Sequence, residues 1–464
     1  MSETRSSKES TKETLGVFKP TEALDGAIEI SVIPTKETLG VFDVVCIILG
    51  VIIGSAIFLT PSTIAALLGS PLLILIVWTA GGALSLVGGL CYAELASAYP
   101  RERGEYFYLT RAYGPWAGFL FAWARLAVIH TGNIASMAAI SAVYMAQFYS
   151  FAYCELAYAV ASIVLFTVIN SIGLQQGKWM QNILSSVKVV GLILIVIAVF
   201  SLPGAPAEDS SQTSMELTFG GFFLAMVFVQ FTFGGWSDCA FVTVEMRNPQ
   251  RNVLRSMVIG IVLVTIIYIG VNIALLWGLG VQGMIESDAV VADYTALAWG
   301  DWGRRSVSAL VIASALGAVN GMTLTGGRLF MTLGRDYPIF GMLGKGVTAN
   351  NAPLGALWAQ CAISVILVAS GSFETLVTYT AGAHWLFLLL VGISVFILRR
   401  IDPDVERPYR VHGYPWIPLV FIATSGMLLY SALDYAGWSS LIGFGLVLFG
   451  LVLYWVNRRM ASNS

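Results

Sequence analysis

Two glycine-interrupted stretches and one lysine carry the chemistry that can be read from this chain. The first stretch is Gly50-Val51-Ile52-Ile53-Gly54-Ser55-Ala56-Ile57-Phe58, inside a run without a charged residue from Val44 to Ala93. Glycine is a poor helix former, so Gly54-Ser55 in mid-segment invites a break. In lipid, a break frees backbone N–H and C=O groups, which persist only where they line a cavity or bind something. The N–H groups of Ser55, Ala56 and Ile57 would then face outward with the positive end of a helix dipole, suited to a carboxylate. The second stretch is Phe231-Thr232-Phe233-Gly234-Gly235-Trp236-Ser237-Asp238. Its freed carbonyls, those of Phe231, Thr232 and Phe233 ahead of Gly234, suit a cation such as an ammonium. A zwitterion fits between two such ends, with Phe231 or Phe233 as an aromatic lid. The competing reading is close helix packing through small residues, with the phenylalanines as ordinary packing. The pairing of two breaks favours a site, because matched interrupted helices are the sequence pointer to a transporter's binding site.

Lys188 lies in Ser185-Ser186-Val187-Lys188-Val189-Val190, within an apolar run. A charge inside a membrane is costly and marks function by default. Snorkelling to the interface is the alternative, since Lys188 is about two turns into its segment. An ammonium there can sit among the carbonyls freed in the first stretch and stand in for a bound Na⁺.

These residues need elements long enough to hold them in a bilayer. The chain has 464 residues, of which 57% are hydrophobic and 11% charged. Soluble domains carry about 25% charged residues, so this composition defines an integral membrane protein. Repeated uncharged runs of about 20 residues point to helices rather than to a barrel. The predicted spans lie near 42–67, 71–98, 115–148, 152–173, 180–201, 218–246, 254–280, 304–333, 353–371, 375–398, 415–434 and 438–457. The fold class is therefore an all-α polytopic membrane protein. Segment 1–40 is polar, 41–201 and 216–400 form two five-span halves, and 401–464 adds two spans and a tail. A polar loop is expected over 201–215 and an acidic one over 281–303.

Arg101, Arg103, Arg111, Lys178, Arg247, Arg251, Arg255, Arg335, Lys345, Arg399, Arg400, Arg407 and Arg410 fall in alternate loops, and Arg458 and Arg459 in the tail. The positive-inside rule then puts both termini in the cytoplasm, as for an inner or plasma membrane. The octapeptide Thr11–Phe18 recurs exactly as Thr35–Phe42, which reads as a duplication. The net charge of −2 excludes nucleic acid as a partner. Five cysteines and three histidines show no metal spacing, and no cofactor is expected. No nucleophile–base constellation points to an enzyme.

Further motifs follow the same order along the chain: Pro61 after the first stretch, Tyr92-Ala-Glu-Leu95, Gly104-Glu-Tyr106, Phe233-Gly-Gly-Trp236, Val244-Glu-Met246, Asn248-Pro249, Ala318-Val-Asn-Gly321, Arg328-Leu-Phe330, and Glu406-Arg407-Pro408-Tyr409. With them the chain resembles the amino acid–polyamine–organocation superfamily, and within it the L-type amino acid transporters, over about 37–457. The resemblance implies a LeuT-like 5+5 inverted repeat with two extra helices, and sodium-independent transport of neutral L-amino acids, commonly by exchange. It assigns Ile53, Gly54, Ser55 and Ala56 to the substrate carboxylate, Phe231 to the amino group and gate, and Lys188 to the place of sodium. Tyr268 falls where the family has a tyrosine beside that lysine. The chain departs from the pattern at Ala56, usually Gly, at Ser237 and His384, often Asn, and at Arg103. Animal relatives are disulfide-linked to a heavy-chain glycoprotein. Cys154 lies near the corresponding loop, but its neighbours do not match, and no such subunit is expected. Two alternatives remain open: a proton-coupled amino-acid or polyamine symporter of the same fold, with Lys188 or His384 titrating, and a sensor that binds amino acids without moving them.

Overall fold

The computed structural model describes residues 39–100, 104–202, 219–287, 289–348, 350, 352–370, 373–436 and 439–462. The first copy of the octapeptide, Arg101, Arg103 and nearly all of the 201–215 loop lie outside the described residues. Among the described residues there are fifteen α-helical segments and no strand. Eight helical stretches are long and apolar enough to cross a membrane. The chain is thus an all-helical, polytopic integral membrane protein.

The first predicted span is two helices, α1 (Val41–Ile52) and α2 (Thr60–Leu68). Left-handed Gly69 caps α2, and Pro71 opens α3 (Pro71–Ala98), so the Gly-Ser-Pro turn reverses the chain in the shortest way. A short helix α4 (Glu105–Tyr113) precedes α5 (Pro115–Ala124). A π-turn over Arg125–Ile129 joins α5 to α6 (His130–Ala146). Next come α7 (Cys154–Ile172), α8 (Leu174–Ile197) and α9 (Phe219–Thr232). A 3-10 stretch, Trp236–Glu245, separates α9 from α10 (Pro249–Glu286) and α11 (Val290–Asp336). The last four are α12 (Leu354–Ser370), α13 (Phe373–Ile401), α14 (Trp416–Ala436) and α15 (Ser439–Ser462).

One expected loop is different. Residues 281–303 are largely helical, folded back at Gly280 (φ 68°) and Gly300 (φ 62°). The acidic residues drew attention there, but Val290, Val291, Tyr294 and Thr295 recur at helical spacing and are buried.

The core is built by close approach. A Cβ on Gly82 would meet the Thr265 side chain at 2.4 Å, and one on Gly89 would meet Ile261 at 2.6 Å, so α3 and α10 touch through glycines. One end of the bundle is tied by ions. Buried Glu94 accepts from Arg399 at 2.7 and 2.6 Å and from the Val411 N–H at 2.7 Å. Arg111 pairs with Asp402 at 2.6 Å. Burial pushes the Asp402 carboxyl up, but the Arg111 and Tyr99 hydrogen bonds outweigh it and hold the group below its usual range.

Close packing of backbone on backbone gives a test. A Cβ on Gly334 would lie 2.3 Å from the Gly344 N, an atom that cannot swing away. Gly334→Ala is expected to lower stability by about 1–3 kcal/mol. Gly445, with open space around it in mid-helix, is the control: Gly445→Ala is expected to be neutral or stabilising by up to about 1 kcal/mol. Thermal unfolding in detergent reads both.

Candidate functional site

The site begins with backbone groups that lost their helical partners. Helix α1 stops at Ile52, and the chain resumes as a 3-10 turn over Ala56–Phe58 before α2. Buried polar groups must be paired, and here the carbonyls are paired by side chains from three other helices. Lys188 on α8 donates to the Gly50 carbonyl at 2.7 Å and to the Ile53 carbonyl at 2.8 Å. Ser314 on α11 donates to Ile53 at 2.8 Å and lies 3.2 Å from the Gly54 carbonyl. The Gly54 N–H and the Tyr268 hydroxyl both reach the Ile52 carbonyl, at 2.7 and 3.3 Å. Lys188 is fully buried, so it does not snorkel.

The other side of the break presents donors. The first bonded N–H of the 3-10 turn is that of Phe58, which donates to Ser55 O at 3.1 Å. The N–H groups of Ser55, Ala56 and Ile57 lie ahead of it, as at any helix start. Ser55 is buried, and its Oγ is 3.8 Å from Met137 Sδ on α6. Ala56 is half-buried; Ile53 and Ile57 are buried.

The second break faces the first. Gly235 adopts φ 103°, and a Cβ there would stand 2.5 Å from Val51 Cγ1. Only glycine meets both requirements. The Thr232 carbonyl lies 3.3 Å from the Tyr268 hydroxyl, so Tyr268 stands between the two breaks. Its ring packs edge-on against Trp78 and Phe233, with centroids 5.4 and 5.1 Å away. Thr232 Oγ1 contacts Thr60 Oγ1 at 3.1 Å and so ties α9 to α2. The two phenylalanines separate: Phe233 is fully buried in packing, whereas Phe231 is 37% exposed. Gly234 lines a cavity with Gly235, Ser237, Gln230 and His384. Among the described residues no group of three His, Cys, Asp or Glu side chains converges as a metal site.

Some partners were not singled out from sequence. Ser314 is one: a serine in a helix carries no periodic signal. Arg125 is another, and the intramembrane-charge rule that flagged Lys188 applies to it equally. Arg125 Nη2 bonds Asp238 Oδ1, close beyond the second break.

Paired breaks, a buried ammonium on the carbonyls of the first and a helical bundle around them define a membrane permease. The chain belongs to the amino acid permease family, whose model matches residues 39–462. It is 32% identical to the b(0,+)-type amino acid transporter 1 of Mus musculus, over 89% of this chain and 86% of that protein. It is 29% identical to the large neutral amino acids transporter small subunit 2 of Oryctolagus cuniculus, over 90% and 81%. It is 27% identical to the cystine/glutamate transporter of Homo sapiens, over 89% and 83%. The chain is an amino-acid transporter and not an enzyme.

The carbonyl network predicts non-additive losses. Lys188→Met removes the donor to Gly50 and is expected to cost about 1–3 kcal/mol. Gly317→Ala puts a Cβ 2.7 Å from Lys188 Cε and is expected to shift the ammonium with part of that cost. Ser314→Ala shares the Ile53 acceptor with Lys188, so the double variant is expected to depart from the sum of the singles. Thermal unfolding of the four variants measures it.

Proposed function

We propose that the chain is a sodium-independent exchanger of neutral L-amino acids that works by alternating access. The observation that carries this reading is the Lys188 ammonium held between the Gly50 and Ile53 carbonyls. A tethered cation at freed carbonyls does electrostatically what a bound Na⁺ would do, and it cannot leave with the substrate. With no ion to carry, each reorientation is driven by substrate, and exchange is the natural outcome.

In this reading the N–H groups of Ser55, Ala56 and Ile57, with Ile53 and Gly54 shaping the break, take the α-carboxylate. The carbonyls of Phe231, Thr232 and Phe233 take the α-amino group, Gly234 gives room, and partly exposed Phe231 is the gate. Phe233, buried against Trp78 and Tyr268, contributes its backbone only. Tyr268 transmits the state of one break to the other. The architecture is a LeuT-like 5+5 inverted repeat with twelve crossings. The broken helices explain why fewer stretches reach span length unbroken. Both termini are placed in the cytoplasm and the protein in the plasma membrane, on the distribution of Lys and Arg. A heavy-chain glycoprotein is not required. Cys154 is 7% exposed, with Ser150 Oγ 3.8 Å from its thiol.

Ser55 has φ −76°, which proline accepts, so Ser55→Pro deletes an N–H without forcing the backbone. A lost hydrogen bond to a charged group is worth about 1.5–3 kcal/mol, so affinity is expected to fall roughly 10–100-fold. Ala56→Gly is expected to extend the range to bulkier substrates. The measurement is efflux of labelled amino acids from preloaded proteoliposomes, triggered by external amino acids with and without sodium. Trans-stimulated efflux indifferent to sodium is expected. Uptake into empty vesicles driven by a proton gradient would establish a symporter, and binding without flux a sensor. Undiminished exchange by Ser55→Pro would remove the carboxylate assignment.

A further inference from the structure

Beyond the second break lies a buried ionic cluster that the transport reading does not use. It forms where α3, α4, the π-turn after α5, the 3-10 stretch after α9, and α13 meet. Its cation is Arg125, 2% exposed. A π-turn places one extra residue in a helical turn and re-aims the side chains on it, commonly at functional sites. Thr131 Oγ1 bonds the Leu126 carbonyl across this turn at 2.8 Å. Arg125 faces two carboxylates: it is bonded to Asp238, and its Nη2 is 3.9 Å from Glu105 Oε2. Glu105 Oε1 accepts from the Tyr92 hydroxyl at 2.5 Å. Glu105 Oε2 is buried with no hydrogen-bond partner among the described residues.

The charges do not balance. One guanidinium stands against two carboxylates, each carried by a residue no more than 4% exposed. Burying such a charge unpaired is strongly unfavourable. The other titratable groups in reach are two histidines, Tyr92 and Tyr108. His130 Nε2 is already engaged with the Met322 carbonyl at 2.7 Å, so a neutral ring keeps its proton there and turns a bare Nδ1, at 3.9 Å, toward Asp238. His384 on α13 also feels Asp238 and Arg125. Asp238 is already bonded by Arg125, and His130 Nδ1 stands beyond hydrogen-bonding distance of it. The oxygen with room for a proton is Glu105 Oε2.

We propose that Glu105 is a proton-binding site and that its proton decides how firmly Arg125 holds the chain after the second break. Protonated, Glu105 leaves Arg125 to Asp238, and the 3-10 stretch is clamped to the π-turn. Ionised, Glu105 competes for Arg125 and loosens that clamp. The step is the gain or loss of one proton from water. Burial pushes the Glu105 carboxyl up to about 7, against the opposing pull of Arg125 and Tyr92, so the switch works near neutral pH.

The sign of the linkage follows. A carboxyl raised in the folded protein stabilises it below the ordinary value of 4.5, and that stability is lost as pH rises toward about 7. The test is a melting titration of the purified full chain in detergent from pH 4.5 to 8. The wild-type midpoint is expected to carry a fall between pH 4.5 and 7 that Glu105→Gln lacks. The variant, an isostere of the protonated acid, should match wild type near pH 4.5 and melt higher at pH 7.5. An identical pH slope in the variant, failure of the variant to fold, or loss of the slope in His130→Asn or His384→Asn alone would overturn the proposal.

The effect on transport rests on the exchange reading. Exchange at equal pH on both sides should be several-fold faster at pH 8 than at pH 6 in wild type, and equal at both in Glu105→Gln. Equal wild-type rates would overturn the clamp. No exchange at any pH would count against the exchanger, while the melting titration would still decide the proton site.

Discussion

A helix interrupted in a membrane leaves backbone carbonyls that water cannot reach, and each unpaired one costs several kcal/mol. The break after α1 meets this constraint chiefly with side chains, the Gly54 N–H adding one bond to the Ile52 carbonyl. Lys188, Ser314 and Tyr268 come from α8, α11 and α10 and converge on the carbonyls of Gly50, Ile52, Ile53 and Gly54. The positions of those three helices are therefore not independent of the break. Each must present its donor at hydrogen-bonding distance or the break is too costly to keep. The reverse also holds. A desolvated ammonium is itself costly, and the carbonyl dipoles of the break replace the water it has lost.

The second break is held by contact more than by charge. Gly235 brings its backbone against Val51, and Tyr268 reaches both the Ile52 and Thr232 carbonyls. A phenol has one proton to donate, so at any instant it bonds one break or the other. The buried polar ladder below Lys188 stiffens the surroundings: Ser185 bonds the Cys46 carbonyl, and Asn320 bridges Gln181 and Asn170. Helices α1, α7, α8 and α11 thus share one hydrogen-bonded seam.

Both breaks were legible in the sequence because glycine in an uncharged run is a strong local signal, and Lys188 because a charge in such a run is rarer still. Ile53 and Tyr268 were reached only through family resemblance. A leucine-like Ile53 carries no mark of the carbonyl it offers, and one tyrosine among eighteen carries none of its bridging. Ser314 was invisible for the same reason. Arg125 was not: it lies ten residues into a predicted span, where the intramembrane-charge rule applies as it does to Lys188. Phe231 and Phe233 looked equivalent in sequence, but two residues along a helix is about 200° around it, so one packs inward and the other does not. Residues 281–303 show the opposite failure, where acidic residues outweighed an apolar period that the fold obeys.

Two of the buried cations, Lys188 and Arg125, differ in how they are neutralised. Lys188 faces the carbonyl dipoles of Gly50 and Ile53, which neither titrate nor leave. Arg125 faces carboxylates, and one of them stands at the N-terminal turn of α4 with an oxygen unbonded. A tethered side chain cannot discriminate between conformations by leaving the site, as an exchangeable ion can. A ligand shifts an equilibrium only by its differential affinity for the two states. In the exchange proposed above, with Lys188 fixed, that differential comes from the amino acid and from the grip of Arg125 on Asp238. The segment after the second break follows the freed carbonyls and is bonded to Arg125 through Asp238, so the proposed substrate and proton sites share one stretch of backbone.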